Sequence, residues 1–255
     1  MRSKKVKKSE NLGLGIIFML VIALIFLLSV VFKALDLYQK SEFNNDANFN
    51  LLLKSDSGAK YLSFSPKNQT INIVDIKGGQ SDVRNLEIPT DATLNTNQEV
   101  TKTNIDSSVS SFVFKKGLNP FDSIKLLLFT KSVPSDSVHE SLVNTRDNLE
   151  NDKKLVRIFS DPQIVSEKLT IQILNSSGVN GAGAKAAKLI TNIGGNVILV
   201  TTTETETPGS SVTATRQSLT FKKIKNLLRG WGKVDPGMNL SDIKIIIGRD
   251  GGGLL

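Results

Sequence analysis

The stretch 169–200, LTIQILNSSGVNGAGAKAAKLITNIGGNVILV, decides the fold of the C-terminal part of this chain. Its first five residues alternate between apolar and polar side chains, which is typical of a strand. Small and polar residues follow, and a segment with helical spacing begins at Gly181 and ends at the pair Gly194-Gly195. A second short apolar run closes the stretch. The pattern predicts a βαβ unit whose turn is rich in small residues.

The turn between the first strand and the helix is a candidate binding site, because free backbone N–H groups at a helix N-terminus suit an anion. Glu204 follows at the distance where a dinucleotide-binding protein carries its ribose-binding acid. The glycine order is G-x-x-G-x-G rather than G-x-G-x-x-G, which favours the alternative that the glycines let a short helix pack closely on the sheet. The candidate binding residues are Asn175, Ser177, Gly178, Gly181 and Gly183.

The same stretch resembles the start of the LytR C-terminal domain, in which a strand ends in Asn-Gly-(Ser/Thr)-Gly-Val and a helix and second strand follow. Here Ser176 replaces the usual glycine after the Asn, and Gly183-Ala184 stands near the usual Leu-Ala. A second helix at 220–228 and a last strand at 243–248 fit the rest of that domain. The resemblance implies a small α/β domain (βαβ-αβ) at 165–250, outside the membrane of a bacterial cell-envelope protein.

Residues 12–32 form an uncharged apolar run, long enough to cross a hydrocarbon core of about 30 Å as a helix. A cleaved signal peptide is the main alternative, but its apolar region is shorter and small residues follow it. The bulky residues at 31–35 favour an anchor. We therefore expect one transmembrane helix that contacts the lipid bilayer, and a cytoplasmic tail at 1–11.

The charge distribution predicts the orientation of this helix. The first ten residues hold five bases and one acid, and the rest of the chain holds 27 bases against 23 acids. Because positive residues stay in the cytoplasm, the N-terminus is expected inside and the bulk of the chain outside. Half of the net charge of +8 is thus a topology signal, and no nucleic-acid partner is required.

The residue inventory limits the chemistry. The chain has no cysteine and one histidine, His139, so thiolate zinc sites, disulfides and clusters of histidine ligands are excluded. We assign no catalytic residue, no metal site and no cofactor. An exposed helical position is expected for His139.

The middle of the chain is expected to be a juxtamembrane linker at 33–48 and an α+β region at 49–160. Strands are predicted at 49–53, 61–64 and 70–76, the last with burial on both faces. A polar loop is predicted at 90–108 and a further strand at 109–114. Asn119-Pro120 predicts a helix start and Pro134 its end. A second helix is then expected to carry Val138, Leu142, Leu149 and Leu155, before a domain boundary at Asp161-Pro162.

Residues 49–76 also resemble, more faintly, the opening strands of the LytR-CpsA-Psr catalytic domain, in which arginines and acids bind a lipid-linked pyrophosphate and a divalent metal. The expected Pro-Arg-Asp reads Val74-Asp75-Ile76-Lys77 here, and Pro89-Thr90-Asp91 has Thr in place of Arg. Arg84 is the single arginine between 34 and 145. A shortened, catalytically silent relative or an unrelated β-rich spacer is therefore favoured over an active phosphotransferase.

Two further expectations complete the picture. The single tryptophan, Trp231, is either a core residue or an exposed stacking platform, and its apolar neighbours favour the core. The tail at 251–255 is expected to be disordered.

The leading hypothesis is a membrane-anchored envelope protein with a non-enzymatic role, which binds a cell-wall polymer or envelope proteins or acts as a scaffold. The alternative is a divergent glycopolymer phosphotransferase.

Overall fold

The computed structural model describes residues 10–56, 58–77, 86–113, 115–144, 148–237 and 240–251. The chain forms two compact units, Met1–Ser41 and Glu42–Leu255. In the first unit, helix α1 (Glu10–Gln39) contains a 25-residue segment that is apolar and long enough to cross a membrane. The helix thus runs through 33–39, which the sequence assigned to a linker. Most of the predicted tail at 1–11 lies outside the described residues.

The first of two five-stranded sheets, the N-terminal sheet, has the order β4-β1-β2-β3-β5. Strands β1, β2 and β3 pair antiparallel, and β4 and β5 run parallel to their neighbours β1 and β3. The three predicted strands are confirmed. The strands are β1 (Phe49–Ser55), β2 (Gly58–Ser65), β3 (Thr70–Lys77), β4 (Ala92–Asn95) and β5 (Val138–Asn144).

Helices cover both faces of the N-terminal sheet. Helices α2 (Ile105–Phe112) and α3 (Pro120–Ser132) pack on the face that carries Ile71 and Ile73. Helix α4 (Asn148–Phe159) packs on the opposite face, which carries Val74 and Ile76. The predicted burial of this strand on both faces is therefore confirmed.

Three sequence expectations for the middle region are wrong. Residues 109–112 belong to α2, because Ile105, Val109 and Phe112 recur at helical spacing and share one buried face. The predicted loop at 90–108 contains β4 and the start of α2. The single helix expected after Pro134 is a 3₁₀ turn followed by strand β5 and then α4, so Val138 and Leu142 lie on a strand, and Leu149 and Leu155 on α4.

Capping at the start of α3 follows the sequence closely. The side chain of Asn119 accepts a hydrogen bond from the N–H of Phe121 at 2.9 Å, and Pro120 occupies the first helical position, where its missing N–H costs nothing. The helix ends at Ser132, just before Pro134. The predicted start and end of this helix are confirmed.

The C-terminal sheet has the order β7-β6-β10-β8-β9. Strands β6 and β7 are parallel, as the βαβ pattern predicted, and β10 runs parallel to β6, whereas β8 runs antiparallel to β10 and parallel to β9. The sequence did not indicate β8 or β9. The strands are β6 (Thr170–Asn175), β7 (Asn196–Thr202), β8 (Ser211–Ala214), β9 (Trp231–Val234) and β10 (Ile243–Ile247).

Three helices pack on one face of the C-terminal sheet. They are α5 (Pro162–Glu167), α6 (Ala182–Asn192) and α7 (Leu219–Leu227). Their buried side chains form a single cluster with inward-facing residues of β6, β8 and β10, such as Ile173 and Ile245. Among the described residues, the sheet side chains in this cluster all lie on the face that the helices cover.

Polar contacts join the two sheets within the second unit. Lys223 on α7 reaches into the N-terminal region, where its Nζ lies 2.6 Å from Asp91 Oδ1 and 2.8 Å from the carbonyl oxygen of Asn48. Both charged side chains are nearly inaccessible to water. Asp161 caps α5 and also accepts from the N–H of Asn48 at 2.6 Å. Asp161, where the sequence predicted a domain boundary, thus contacts both the N-terminal region and α5.

Candidate functional site

The predicted binding turn lies where the parallel strands of the C-terminal sheet end. Ligands of such sheets commonly bind beyond the carboxyl ends of the strands. Backbone hydrogen bonds join the turn to the end of β10, from Ser176 N–H to the oxygen of Ile247 at 2.8 Å, and to the loop after β7, from Thr207 N–H to the oxygen of Ser176 at 2.9 Å. The loop after β10 joins them through the N–H of Arg249, which donates to the oxygen of Thr207 at 2.8 Å. Three loops therefore form one connected edge.

The side chains of Asn175 and Ser177 shape the turn itself. The Ser177 hydroxyl donates to Asn175 Oδ1 at 2.7 Å, and Asn175 Nδ2 donates to the carbonyl oxygen of Val179 at 2.9 Å. The N–H of Val179 in turn donates to Ser177 Oγ at 3.1 Å. Both side chains are buried. These local bonds are typical of turns built by Asn and Ser.

The three glycines of the turn have different roles. Gly178 and Gly181 adopt left-handed backbone conformations, with φ of 74° and 83°, which favour glycine. Gly183 lies inside α6, where a Cβ would stand 3.1 Å from Val200 Cγ1 and 3.3 Å from Asn175 Cβ. The close approach of helix and strand agrees with the packing alternative drawn from the sequence.

An acidic side chain lies over this turn. A Cβ on Gly178 would meet the carboxylate of Glu206 at 2.6 Å, and Arg249 Nε holds that carboxylate at 2.6 Å. The ion pair leaves this turn without an excess positive charge, so the geometry gives no support to binding of a dinucleotide at the glycines. The binding role of the five turn residues stays a prediction.

Ser210 and Asp250 complete this edge and were missed as a pair by the sequence reasoning. The Asp250 carboxylate accepts from both the N–H and the hydroxyl of Ser210, and Ser210 Oγ accepts from the N–H of Gly248 at 3.0 Å. The Gly-x-Asp sequence after the last strand was the available signal. The carboxylate of Asp250 thus joins the loop before β8 to the end of β10 through hydrogen bonds.

Acids of the middle region are engaged in ion pairs. Asp75 Oδ1 lies 3.0 Å from Lys60 Nζ, and Asp91 is paired with Lys223. Among the described residues, no three His, Cys, Asp or Glu side chains are grouped so that they could hold a metal ion. Arg84 lies outside the described residues. His139 is exposed as expected, but on strand β5 rather than on a helix.

Trp231 contradicts the expectation of burial. It lies on strand β9 and is 65% exposed. The reason is strand alternation, since the next residue, Gly232, faces α7, where a Cβ would come within 3.0 Å of Phe221 and closer still to Lys225. A glycine on the helix side leaves the tryptophan on the opposite face of the sheet.

Two open surface cavities lie in the N-terminal region. One of about 350 Å³ is lined by polar residues at the ends of β1 and β4, including Lys54 and Asn95. The other, of about 510 Å³, is lined by Phe43, Leu128 and Phe129 among others. Neither contains a residue that the sequence predicted for binding. No known protein family, curated protein or solved structure matches this chain.

Proposed function

We propose that this chain is a single-pass membrane protein of the bacterial cell envelope, with residues 1–11 in the cytoplasm and residues 42–255 outside. The observation that carries the proposal is α1. Its apolar segment, Gly15–Gln39, has no buried share and spans about 37 Å at 1.5 Å per residue. A core helix would bury part of such a surface, whereas a bilayer of about 30 Å covers it.

The charge asymmetry supports the proposed orientation. Five lysines and arginines precede the apolar segment within ten residues, while beyond it Lys33 is soon followed by Asp36, Glu42 and Asp46. The positive-inside rule relates this bias to a cytoplasmic N-terminus. The extracytoplasmic placement of the resembled LytR C-terminal domain agrees with the same topology.

The role we propose outside the membrane is binding or scaffolding of a cell-wall polymer or an envelope protein. The acids at the positions where the sequence was compared with the phosphotransferase pattern have structural partners instead. Asp91 stabilises a buried contact between the two sheets through Lys223, and Asp75 is paired with Lys60 at 3.0 Å. Acids engaged in this way are poorly placed to bind a metal or a pyrophosphate.

Cysteine labelling tests the topology directly, because the natural chain contains no cysteine. We expect Asn226→Cys, at an exposed position on α7, to react with a membrane-impermeant maleimide in intact cells. Ser3→Cys should react only after the membrane is permeabilised. The reverse pattern, or labelling of both sites in intact cells, would contradict the proposed orientation.

Two assays on the purified full chain test binding against catalysis. Capture on isolated envelope polymers and envelope membranes should retain the chain. Incubation with a lipid-pyrophosphate glycan and a divalent metal should leave the glycan unchanged. Transfer or cleavage of the glycan at a rate above that of a protein-free control would establish the phosphotransferase alternative and exclude the non-enzymatic role.

A further inference from the structure

The face of the C-terminal sheet opposite its helices is open in the described part of the chain. Strand alternation places ten side chains there, because their neighbours along each strand point towards α6 and α7. We call this surface the open face. Its residues are Gln172, Leu174, Leu199, Thr201, Ser211, Thr213, Trp231, Lys233, Lys244 and Ile246.

Two cross-strand rows organise the open face. One row runs through Leu199, Gln172, Lys244, Thr213 and Lys233, and the other through Thr201, Leu174, Ile246, Ser211 and Trp231. Residues opposite each other on neighbouring strands stand about 5 Å apart, so each row is a continuous strip. The face therefore presents two adjacent strips that mix apolar side chains with hydroxyl and amide groups.

The apolar part of the open face is accessible to a partner. Trp231 is 65% exposed and Leu199 is 39% exposed, while Leu174 and Ile246 are partly buried between them. A row that ends in an exposed aromatic ring differs from scattered surface leucines, which need no explanation. An indole offers a flat apolar surface together with one N–H donor.

The charge of the open face is positive. Lys233 and Lys244 are its two charged residues, neither forms an ion pair within the described part of the chain, and none of the ten residues is acidic. Two acids lie next to these lysines along their strands. Asp242, at the start of β10, accepts from the N–H and hydroxyl of Thr170, both within 2.8 Å, and Asp235, just after β9, accepts from the N–H of Gly237 at 3.1 Å. Within the two rows themselves the charged groups are both cations, which suits an anionic partner.

We propose that the open face binds an anionic glycan polymer, one whose sugar rings carry phosphate or carboxylate groups. The C–H face of a sugar ring packs on Trp231, the anionic groups pair with Lys233 and Lys244, and the hydroxyl and amide side chains between them bond to sugar hydroxyls. Two long strips in which polar groups separate the apolar side chains fit an extended polymer better than a globular protein, which needs a larger apolar core. This inference rests on the proposed placement outside the membrane, where such polymers occur.

The intrinsic fluorescence of Trp231 reports binding, because it is the one tryptophan of the chain. The purified full chain in detergent micelles is titrated with a sugar-phosphate polymer, polygalacturonate, neutral dextran and single-stranded DNA. We expect a saturable change with one or both anionic glycans, weakened when NaCl rises from about 0.05 to about 0.5 M, and none with dextran. The two anionic glycans distinguish phosphate from carboxylate recognition.

Variants locate the site. Trp231→Ala and the double variant Lys233→Glu/Lys244→Glu should each weaken binding at least about tenfold, measured by calorimetry because the first variant lacks the fluorophore. The matched controls are Leu128→Ala, an equally exposed apolar residue on α3, and Lys153→Glu, an exposed lysine on α4. Both should bind like the natural chain.

Several outcomes would overturn the inference. Equal binding by the open-face variants would place any glycan site elsewhere, and tighter binding of DNA than of either glycan would indicate a nucleic-acid surface. Failure to bind any polymer would exclude the glycan. Because binding is measured on the purified chain and orientation by cysteine labelling in cells, failure of this inference is distinguishable from failure of the proposed topology.

Discussion

The two sheets of the second unit differ in how many of their faces are covered. In β3 of the N-terminal sheet, Ile73 is buried on one face and Val74 on the other. In β6 and β10 of the C-terminal sheet, buried and partly exposed residues alternate strictly. A sheet covered on both faces uses nearly every side chain for packing, whereas a sheet covered on one face leaves every second residue available for contact with a partner.

The pKa values of several acids near the two sheets are also shifted in different directions. Near the N-terminal sheet, burial raises the pKa of Glu42 and of Glu87 above the usual range. At the C-terminal sheet, the N–H and hydroxyl of Thr170 lower the pKa of Asp242. Burial would raise the pKa of Glu167, but hydrogen bonds from Thr220 and Leu219 outweigh it and the pKa is lowered. The pKa of a carboxyl group thus rises where burial dominates, as at Glu42 and Glu87, and falls where hydrogen-bond donors dominate, as at Asp242 and Glu167.

The largest expected effect compares one substitution on the two sheets. Leu62→Ala, at a fully buried position of the N-terminal sheet, should lower the free energy of unfolding by about 3 to 5 kcal/mol, because it removes buried methyl groups and leaves a cavity. Leu199→Ala on the open face should cost under about 1 kcal/mol. Urea denaturation of the full chain in detergent, followed by circular dichroism, measures both. Equal costs would contradict the difference in coverage.

The next effect concerns the contact between the sheets. Lys223→Met should cost about 3 kcal/mol, because it leaves the buried carboxylate of Asp91 without its cation. The neighbouring exposed residue provides the control, and Lys222→Met should unfold at nearly the urea concentration of the natural chain. A double variant with Asp91→Asn should recover part of the loss. If the double variant is no more stable than Lys223→Met, the two side chains are not coupled.

A smaller effect is expected at the carboxyl edge of the C-terminal sheet. Gly248→Ala should cost about 2 kcal/mol, because its Cβ would overlap the backbone of Gly209. Gly209→Ala is the matched control, since its Cβ would meet Asp250 Oδ2 at an ordinary 3.6 Å. Thermal denaturation of both variants compares them. A melting temperature of Gly248→Ala equal to that of the control would show that the loops separate easily.

The smallest effect is a dependence on pH. Because the folded state lowers the pKa of Asp242 below its ordinary value of 3.8, its contribution to stability is complete above that pH and is lost as the pH falls further. Water screens this site, so the contribution is under about 1 kcal/mol. Asp242→Asn should flatten the acid limb of a stability–pH curve. If the acid limb is unchanged in Asp242→Asn, ionised Asp242 does not stabilise the folded state.

The sequence predicted correctly those elements whose residues determine the backbone conformation within one or two turns. Asn119-Pro120 predicted the start of α3 because the Asn side chain and the fixed proline backbone act within one turn. The βαβ unit was likewise predicted, since its periodicity changes from two to about 3.6 at Gly181. The candidate turn was placed correctly at the strand ends. The glycine pattern could not show that Glu206 lies over it, because that residue comes from another loop.

Other elements depend on contacts that periodicity does not reveal. Val109 and Phe112 are of residue types common in strands, yet they lie on helix α2, because there their side chains form one buried face together with Ile105. Val138 was assigned to a helix, but pairing with Ile71 of β3 holds it in a strand. Trp231 was expected in the core, and the reason for its exposure is the glycine that faces α7. Tertiary packing overrides local propensity in each case.

The Asp91–Lys223 pair has a consequence for the order of synthesis. The two residues are 132 positions apart, so at about 10 residues per second the acid leaves the ribosome on the order of ten seconds before its cation is made. During that interval the first sheet can form, but the carboxylate it must bury has the N–H of Asn50 as a donor and still lacks its cation. The first half of the protein therefore reaches its final stability only when α7, near the end of the chain, has been translated.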